Sequence, residues 1–409
     1  MSHSRRAFLQ SLTALSAAGL ARASAAGEPP ASSLRSLRPG ASDTGFDPWL
    51  EIDAAAVRRN VKESARLAGG RPILAVVKNN AYGLGDELLG PLLDSCDEVS
   101  GIACVRVQEA LAMRRAGVKK PILNMAEVSV EEAEELARND VRPSLWLPDA
   151  GDRMDKVAKK LGRPVAAELY LDCGMGREGM PDYKALPWID DLARRKSLRI
   201  DGTYMMFVHE LEFDREQLAR FQKLTDEAKS GNVALGRLHT APTYELFFLP
   251  ESHMDQVRIA GALFGLYPNE AKARDLAKLE AVFRLRARIA RLERLRPGDS
   301  ASFGRRFIAE RPTWLALLPV GHTDGYPTGA ASRSKVLIGG RLYPVVAVVS
   351  STHTLVEIGE EKTVEVGDVA TLIGPDDPAI HPETIAEETG TGYFPLISKL
   401  SALLPRRLV

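Results

Sequence analysis

The sequence predicts an α/β fold, a parallel (β/α)8 TIM-like barrel followed by a mainly β domain. Three observations carry this. Eight short apolar runs, separated by charged stretches of helical character, fill residues 73–263. Beyond about Glu280 the pattern changes to alternating apolar and charged residues, the mark of half-exposed antiparallel strands. The length, 409 residues, exceeds what one hydrophobic core usually serves, so two domains are expected.

The strand-like runs of the barrel, expected over 48–279, come in order. They are ILAVV (73–77), GIACV (101–105), ILNM (122–125), SLWL (144–147), AAELYL (166–171), YMMFV (204–208), LGRLH (235–239) and VRIAGAL (257–263). Between them, stretches such as 130–139, 152–161 and 214–230 repeat apolar residues at helical spacing. The second domain, expected over 280–409, opens with FRLRARI (283–289), in which apolar and charged residues alternate. Further strands are expected at 315–320, 335–338, 343–349, 354–358, 364–368 and 371–373, broken by glycine-rich turns.

Lys+Arg and Asp+Glu both number 54, a balance that argues against nucleic acid and for small-molecule chemistry. Residues 1–26 read as a twin-arginine signal peptide. Ser4-Arg5-Arg6-Ala7-Phe8-Leu9 leads a weakly apolar segment to Leu20, and Ala23-Ser24-Ala25 offers a small-residue cleavage site. Export to the periplasm is expected, with the cytoplasm as the location if the signal is not used. Residues 27–47, rich in Ser, Pro and Gly, read as a linker, and no later segment is long and apolar enough to span a bilayer. Cys96, Cys104 and Cys173 lack metal-ligand spacing; no metal site and no essential disulfide are expected, and Cys104 and Cys173 fall in strand-like runs as core.

The chemistry starts at Lys78, where five apolar residues run straight into a lysine and then a glycine-bearing turn. A lysine at the end of a buried strand loses charge by desolvation, and a neutral amine attacks an aldehyde to form an imine. Spacing alone also allows Lys78 merely to solvate the strand end. AVVKNNAYGLG (75–85) resembles the lysine motif of the alanine racemase family, fold type III enzymes that use pyridoxal 5'-phosphate (PLP); it departs at Asn80 and Leu84. The resemblance runs from about residue 48 to the C-terminus. It implies a PLP-binding barrel, with Lys78 as cofactor anchor and acid/base and Tyr82 beside the phosphate.

Other matches fall at strand ends, where such barrels place reacting groups. Asp172-Cys173-Gly174-Met175-Gly176-Arg177-Glu178-Gly179 is similar to the family's Asp-Thr-Gly-Met-x-Arg-x-Gly, implying that Arg177 holds the substrate carboxylate. Val257-Arg258-Ile259-Ala260-Gly261 resembles Val-Arg-Pro-Gly-Ile, in which the arginine donates to the pyridine nitrogen. A permanently charged donor keeps that nitrogen unprotonated, which suits rapid reprotonation at Cα. The backbone of Ala260 and Gly261, the hydroxyl of Thr243 and Tyr393 would hold the phosphate. His239 matches a histidine of the same region, and a hydrogen-bonded core histidine is the equal alternative.

The second half of the machinery departs from the family. Its partner-supplied tyrosine falls at Phe303, in Ser302-Phe303-Gly304, and its ring-stacking histidine at Met206. The entrance tyrosine falls at His322, in Gly321-His322-Thr323-Asp324-Gly325-Tyr326-Pro327. Ser350-Ser351-Thr352-His353 stands where the family's Cys-Met-Asp-Gln helps bind the carboxylate, which makes Ser351 a substrate-binding candidate. Racemisation on a two-base scheme needs a group on each face of Cα, and His322 is the candidate for the face away from Lys78. The resemblance implies a PLP-dependent amino-acid racemase, alanine being the default substrate, in a homodimer with shared sites. Two alternatives stand beside it: a fold type III enzyme doing one-face chemistry (elimination, aldol cleavage or decarboxylation), and a non-catalytic PLP- or amino-acid-binding protein.

Overall fold

A computed structural model describes residues 48–409; the expected signal peptide and linker lie outside the described residues. Eight parallel strands form the barrel sheet: Ile73–Val76, Val99–Cys104, Ile122–Asn124, Val141–Leu145, Val165–Asp172, Leu198–Tyr204, Arg237–His239 and Val257–Ile259. Strand eight pairs with strand one, Arg258 opposite Leu74. Strands seven and eight meet through Asp255 N–H to Leu238 O (3.0 Å) and Arg258 N–H to Ala241 O (2.8 Å), which brings the ring together.

The first strand shows why a continuous apolar run was needed. Ile73, Ala75 and Val77 join the large core beneath the helices, while Leu74 and Val76 turn inward with Ala103, Leu123, Tyr170 and Tyr204. Both faces are buried, as in parallel sheets generally. The helices start where the sequence supplies caps. Asp53 Oδ1 accepts from Ala56 N–H at 2.8 Å, and Ser129 and Glu132, three residues apart, cap each other's backbone.

Two strands shift from expectation. The sixth is Leu198–Tyr204 rather than 204–208, because the Arg199–Asp201 ion pair interrupts its first half and leaves no continuous apolar run. Met205, Met206 and Phe207 instead form the loop leaving the barrel mouth. The fourth is Val141–Leu145, starting earlier than the expected 144–147.

The second sheet has nine strands. In spatial order these are Arg291–Leu295, Thr313–Leu318, Thr354–Gly359, Arg341–Val346, Lys335–Ile338, Val369–Ile373, Phe283–Arg288, Trp49–Ile52 and Arg406–Leu408. The alternation of Phe283–Arg288 is visible in its burial, with Phe283, Leu285 and Ala287 inward. Trp49–Ile52, expected in the barrel domain, pairs antiparallel with Phe283–Arg288 and parallel with Arg406–Leu408 instead. The expected strand at 364–368 is a turn: Glu365 N–H donates to Asp368 Oδ2 at 2.8 Å and Gly367 takes φ +95°. Cys96, Cys104 and Cys173 are buried and free. Among the described residues, no helix is long and apolar enough to cross a membrane.

Candidate active site

A cavity of about 860 Å³ opens at the C-terminal ends of the barrel strands. Lys78 reaches it from strand one, through an unusual piece of backbone. Asn79, Asn80, Ala81 and Tyr82 all have φ between +50° and +57°, a left-handed turn made of non-glycine residues. Such a conformation costs about 1–2 kcal/mol per residue, least for Asn, and survives only where its surroundings fix it. Here Glu109 accepts the Asn80 N–H at 3.2 Å, and Arg406 donates to Gly83 O at 2.7 Å. Gly83 must be glycine, since at φ +89° a Cβ would lie 2.2 Å from Ile397 O. Lys78 is half-buried, and its pKa is lowered by burial first and then by the charges of Arg177 and Arg258. A larger neutral fraction of the amine follows.

Arg258, on strand eight, is buried and lines the same cavity. Its terminal nitrogens are committed: one to His239 Nδ1 (2.9 Å), the other to Met205 O (2.8 Å). Nε is therefore the donor that can meet a ring nitrogen. His239 is fully buried behind Arg258, outside the cavity lining, and its Nε2 lies 2.8 Å from Glu168 Oε2. Its expected cofactor contact is thus corrected. His239 is a positioning residue, and the core alternative describes it. Arg142 closes the series, 3.0 Å from Glu168. Burial pushes Glu168 upward, but His239 and Arg142 outweigh it and hold the carboxyl below its usual range. Burial lowers His239 more than Glu168 raises it, so the imidazole is neutral, giving its Nε2–H to Glu168 and its Nδ1 lone pair to Arg258.

At the far end, Thr243 Oγ1 lies 3.4 Å from the backbone N–H groups of both Ala260 and Ala262. Gly261 sits between them, and an added Cβ would come within 3.1 Å of Leu266. Beside the expected Ala260 and Gly261, the Thr243 hydroxyl thus also meets the N–H of Ala262. Tyr82 and Tyr393 line the cavity, with Tyr82 5.1 Å from the ring of Phe394. The Tyr393 hydroxyl donates to Phe264 O at 3.0 Å.

Arg177 is exposed at the cavity wall. Asp172 Oδ1 accepts N–H bonds from Gly174 (2.9 Å) and Met175 (2.8 Å), bending the turn that presents the arginine. Beside it lies Tyr170, stacked on Tyr204 with centroids 4.5 Å apart. Sequence reasoning missed Tyr170, Tyr204, His209 and Tyr244, all on the cavity wall. The alternation of strand five, which turns Glu168 and Tyr170 to one side, was the available signal for the first.

His322 and Ser351 stand together, Nε2 3.4 Å from Oγ, but both are exposed and neither lines the cavity of its own chain. Within one chain, the expected catalytic and substrate contacts of these two residues are not made. Phe303 is 79% exposed, on the small ribbon of Ser300–Ala301 and Phe307–Ile308.

These residues fit pyridoxal phosphate. A desolvated amine can bond its aldehyde, Arg258 Nε can donate to its ring nitrogen, and Thr243 with two backbone N–H groups can hold its phosphate. Fold and site together define a lysine-anchored, PLP-dependent barrel enzyme. Comparison with known proteins narrows the class. Residues 52–268 match the alanine racemase N-terminal domain and residues 282–408 the alanine racemase C-terminal domain; the chain belongs to the alanine racemase family. It is 32% identical to the alanine racemase of Symbiobacterium thermophilum over 332 residues, 80% of this chain and 87% of that one. The alanine racemase of Bacillus anthracis, solved with bound L-Ala-P, superposes with a TM-score of 0.79 at 25% identity, covering 90% of this chain and 96% of that one. That of Bartonella henselae, solved with covalently bound pyridoxal phosphate, shares the fold with a TM-score of 0.75 at 21% identity, over 89% and 100% of the two chains.

Proposed function

We propose that the protein is an amino-acid racemase that interconverts L- and D-alanine. The observation that carries this reading is one cavity holding a half-buried lysine between two guanidinium groups, at the ends of strands one, five and eight. When bound, PLP supplies an aldehyde that captures the substrate amine and withdraws electrons from Cα. The chain's own residues do the rest. Arg177 pairs with the carboxylate and fixes which way Cα faces. Lys78 Nζ, with its lowered pKa, takes or returns the α-proton on its side. Arg258 keeps its proton while donating to the ring, and the apolar wall of Val76, Met125 and Met206 limits water.

The exposed Phe303, with Ile308 half exposed on the same ribbon, supports a homodimer in which this ribbon and the His322–Ser351 pair face a neighbouring copy's cavity. The Arg5-Arg6 signal with its Ala-x-Ala site supports a periplasmic location. Fractionation of cells producing the full chain, with N-terminal sequencing, checks that part.

The activity is tested by incubating PLP-loaded protein with L-alanine in D2O, followed by chiral chromatography with mass detection. D-alanine carrying one extra mass unit at Cα is expected. Unchanged L-alanine with its α-proton intact would remove the racemase reading.

A further inference from the structure

Lys78 serves one side of Cα, and the tyrosine that resemblance would bring to the other side is Phe303. The cavity holds another proton carrier on its own chain. His209 lies in the loop after strand six. Counted around the ring, strand six stands three places from strand one through strands seven and eight, close to the far side of an eight-membered barrel. Gln217 holds this loop, accepting from Val208 N–H at 3.1 Å and donating to Met206 O at 3.3 Å.

Behind His209 lie two buried carboxyl groups. Its Nδ1 lies 2.8 Å from Glu245 Oε1, and Glu245 is fully buried on the helix after strand seven. Asp214, on the helix that follows His209, is also fully buried beside Glu245. Among the described residues, both oxygens of Asp214 and Oε2 of Glu245 lack a partner at hydrogen-bond geometry, and the Glu210 backbone only partly offsets the burial of Asp214. Three of the four oxygens of these adjacent buried carboxyl groups thus lack a donor, and a proton shared between the two groups satisfies them best. That arrangement leaves one negative charge facing an imidazole. Burying it is costly, and such a cost is met at sites that use the charge.

We propose that His209 is a second acid/base of this site, acting on Cα from the side away from Lys78, with Glu245 and Asp214 as its positioning residues. The role rests on the racemase reading above. Nδ1–H is held by Glu245, which leaves Nε2 for the substrate. In one direction Lys78 Nζ takes the α-proton while His209 Nε2–H delivers a proton to the opposite face; the reverse exchanges these parts. A turnover in the first direction leaves an ammonium and a neutral imidazole, one in the reverse direction an amine and an imidazolium, and proton exchange with water at the cavity mouth resets either state. The electrostatics agree. Glu245 raises the His209 pKa above the ordinary value, against burial, with Asp214 adding to it and Arg177 opposing it. Tyr244, its ring edge-on with centroids 5.6 Å apart, completes the facing groups.

The test compares unmodified, His209→Gln and Glu245→Gln holoenzymes. Gln at 209 keeps a hydrogen bond to Glu245 but carries no titrating proton. Expected is normal PLP absorbance in His209→Gln, α-deuterium exchange of one alanine enantiomer with retention, and racemisation lower by about 10²–10⁴-fold. In protein without PLP, NMR titration of the His209 imidazole should move to lower pH in Glu245→Gln. The same downward move is expected in the corresponding limb of the pH–rate profile. Racemisation by His209→Gln at the unmodified rate would overturn the proposal, as would an imidazole titration indifferent to Glu245→Gln. If the unmodified holoenzyme exchanges neither enantiomer, the racemase reading itself fails and the role of His209 fails with it.

Discussion

His239 Nδ1 lies 2.9 Å from a terminal nitrogen of Arg258, so the guanidinium that faces the cavity is oriented by a histidine that does not. The orientation reaches further back, because His239 gives its other nitrogen to Glu168, which Arg142 also holds. A single fully buried carboxylate therefore fixes the tautomer of His239 and the aim of Arg258.

Removing that carboxylate has a predictable cost. Glu168→Gln leaves the buried His239–Arg258 pair without its anion, while Arg142 keeps Asp201 at 3.0 Å, and the loss of one partner of such a group costs about 3–5 kcal/mol. Urea denaturation at neutral pH should show it. Glu168 has a lowered pKa in the fold, so its contribution is present above the unfolded carboxyl value and lost as pH falls through the folded one. The gap between the two proteins should accordingly narrow in acid. A gap that stayed constant down to pH 3 would take Glu168 out of this role.

Lys78 makes a separable prediction. Lys78→Ala removes a half-buried amine from between two guanidinium charges, so the fold should be unharmed or slightly more stable. Covalent PLP attachment should vanish, and borohydride treatment of the unmodified holoprotein should label Lys78 in peptide mass spectra. Label on another lysine would displace Lys78 from the anchor position.

Much of this site was legible in the sequence, because strand ends carry both the local signal and the chemistry. Lys78 follows a run apolar on both faces, and Arg177 lies in a turn flanked by Gly174 and Gly179, with φ of +123° and +108°. Arg258 likewise sits in a short apolar strand. What escaped notice has physical reasons. His209, Glu245 and Asp214 come from three segments with no shared spacing, joined only by tertiary contact. Trp49–Ile52 is too short for periodicity and is a strand only because Phe283–Arg288 and Arg406–Leu408 flank it. His322 and Ser351 match motifs that act across a subunit boundary, which one chain does not display.

The Asp214–Glu245 pair predicts how stability depends on pH. Burial, then the charge of Glu245, raises Asp214 to about 6. A carboxyl raised on folding stabilises below its unfolded value, near 4, and that stability is lost as pH rises through about 6. Roughly 3 kcal/mol is at stake, from a two-unit shift. Asp214→Asn donates to Glu245 at every pH, so its melting temperature should fall less than that of the unmodified protein between pH 4 and pH 7. Parallel profiles would mean that no proton is shared there.

Phe303 distinguishes a base supplied in cis from one supplied by a neighbouring copy. In its own chain it is 79% exposed and absent from the cavity lining, so in the homodimer proposed above a tyrosine there would act on the second copy. If His209 already serves the face away from Lys78, Phe303→Tyr adds little to the unmodified enzyme. In the His209→Gln background the new phenol has no competitor and should restore racemisation by at least roughly tenfold, within the range of a general base. If the proposed homodimer forms, dilution below its dissociation constant should abolish the rescue, while His322→Ala, at the proposed entrance of the neighbouring copy's cavity, should raise KM more than it lowers kcat. A tenfold gain from Phe303→Tyr alone, together with a collapse of kcat in His322→Ala, would place the second base on the neighbouring chain at His322 and leave His209 a structural residue.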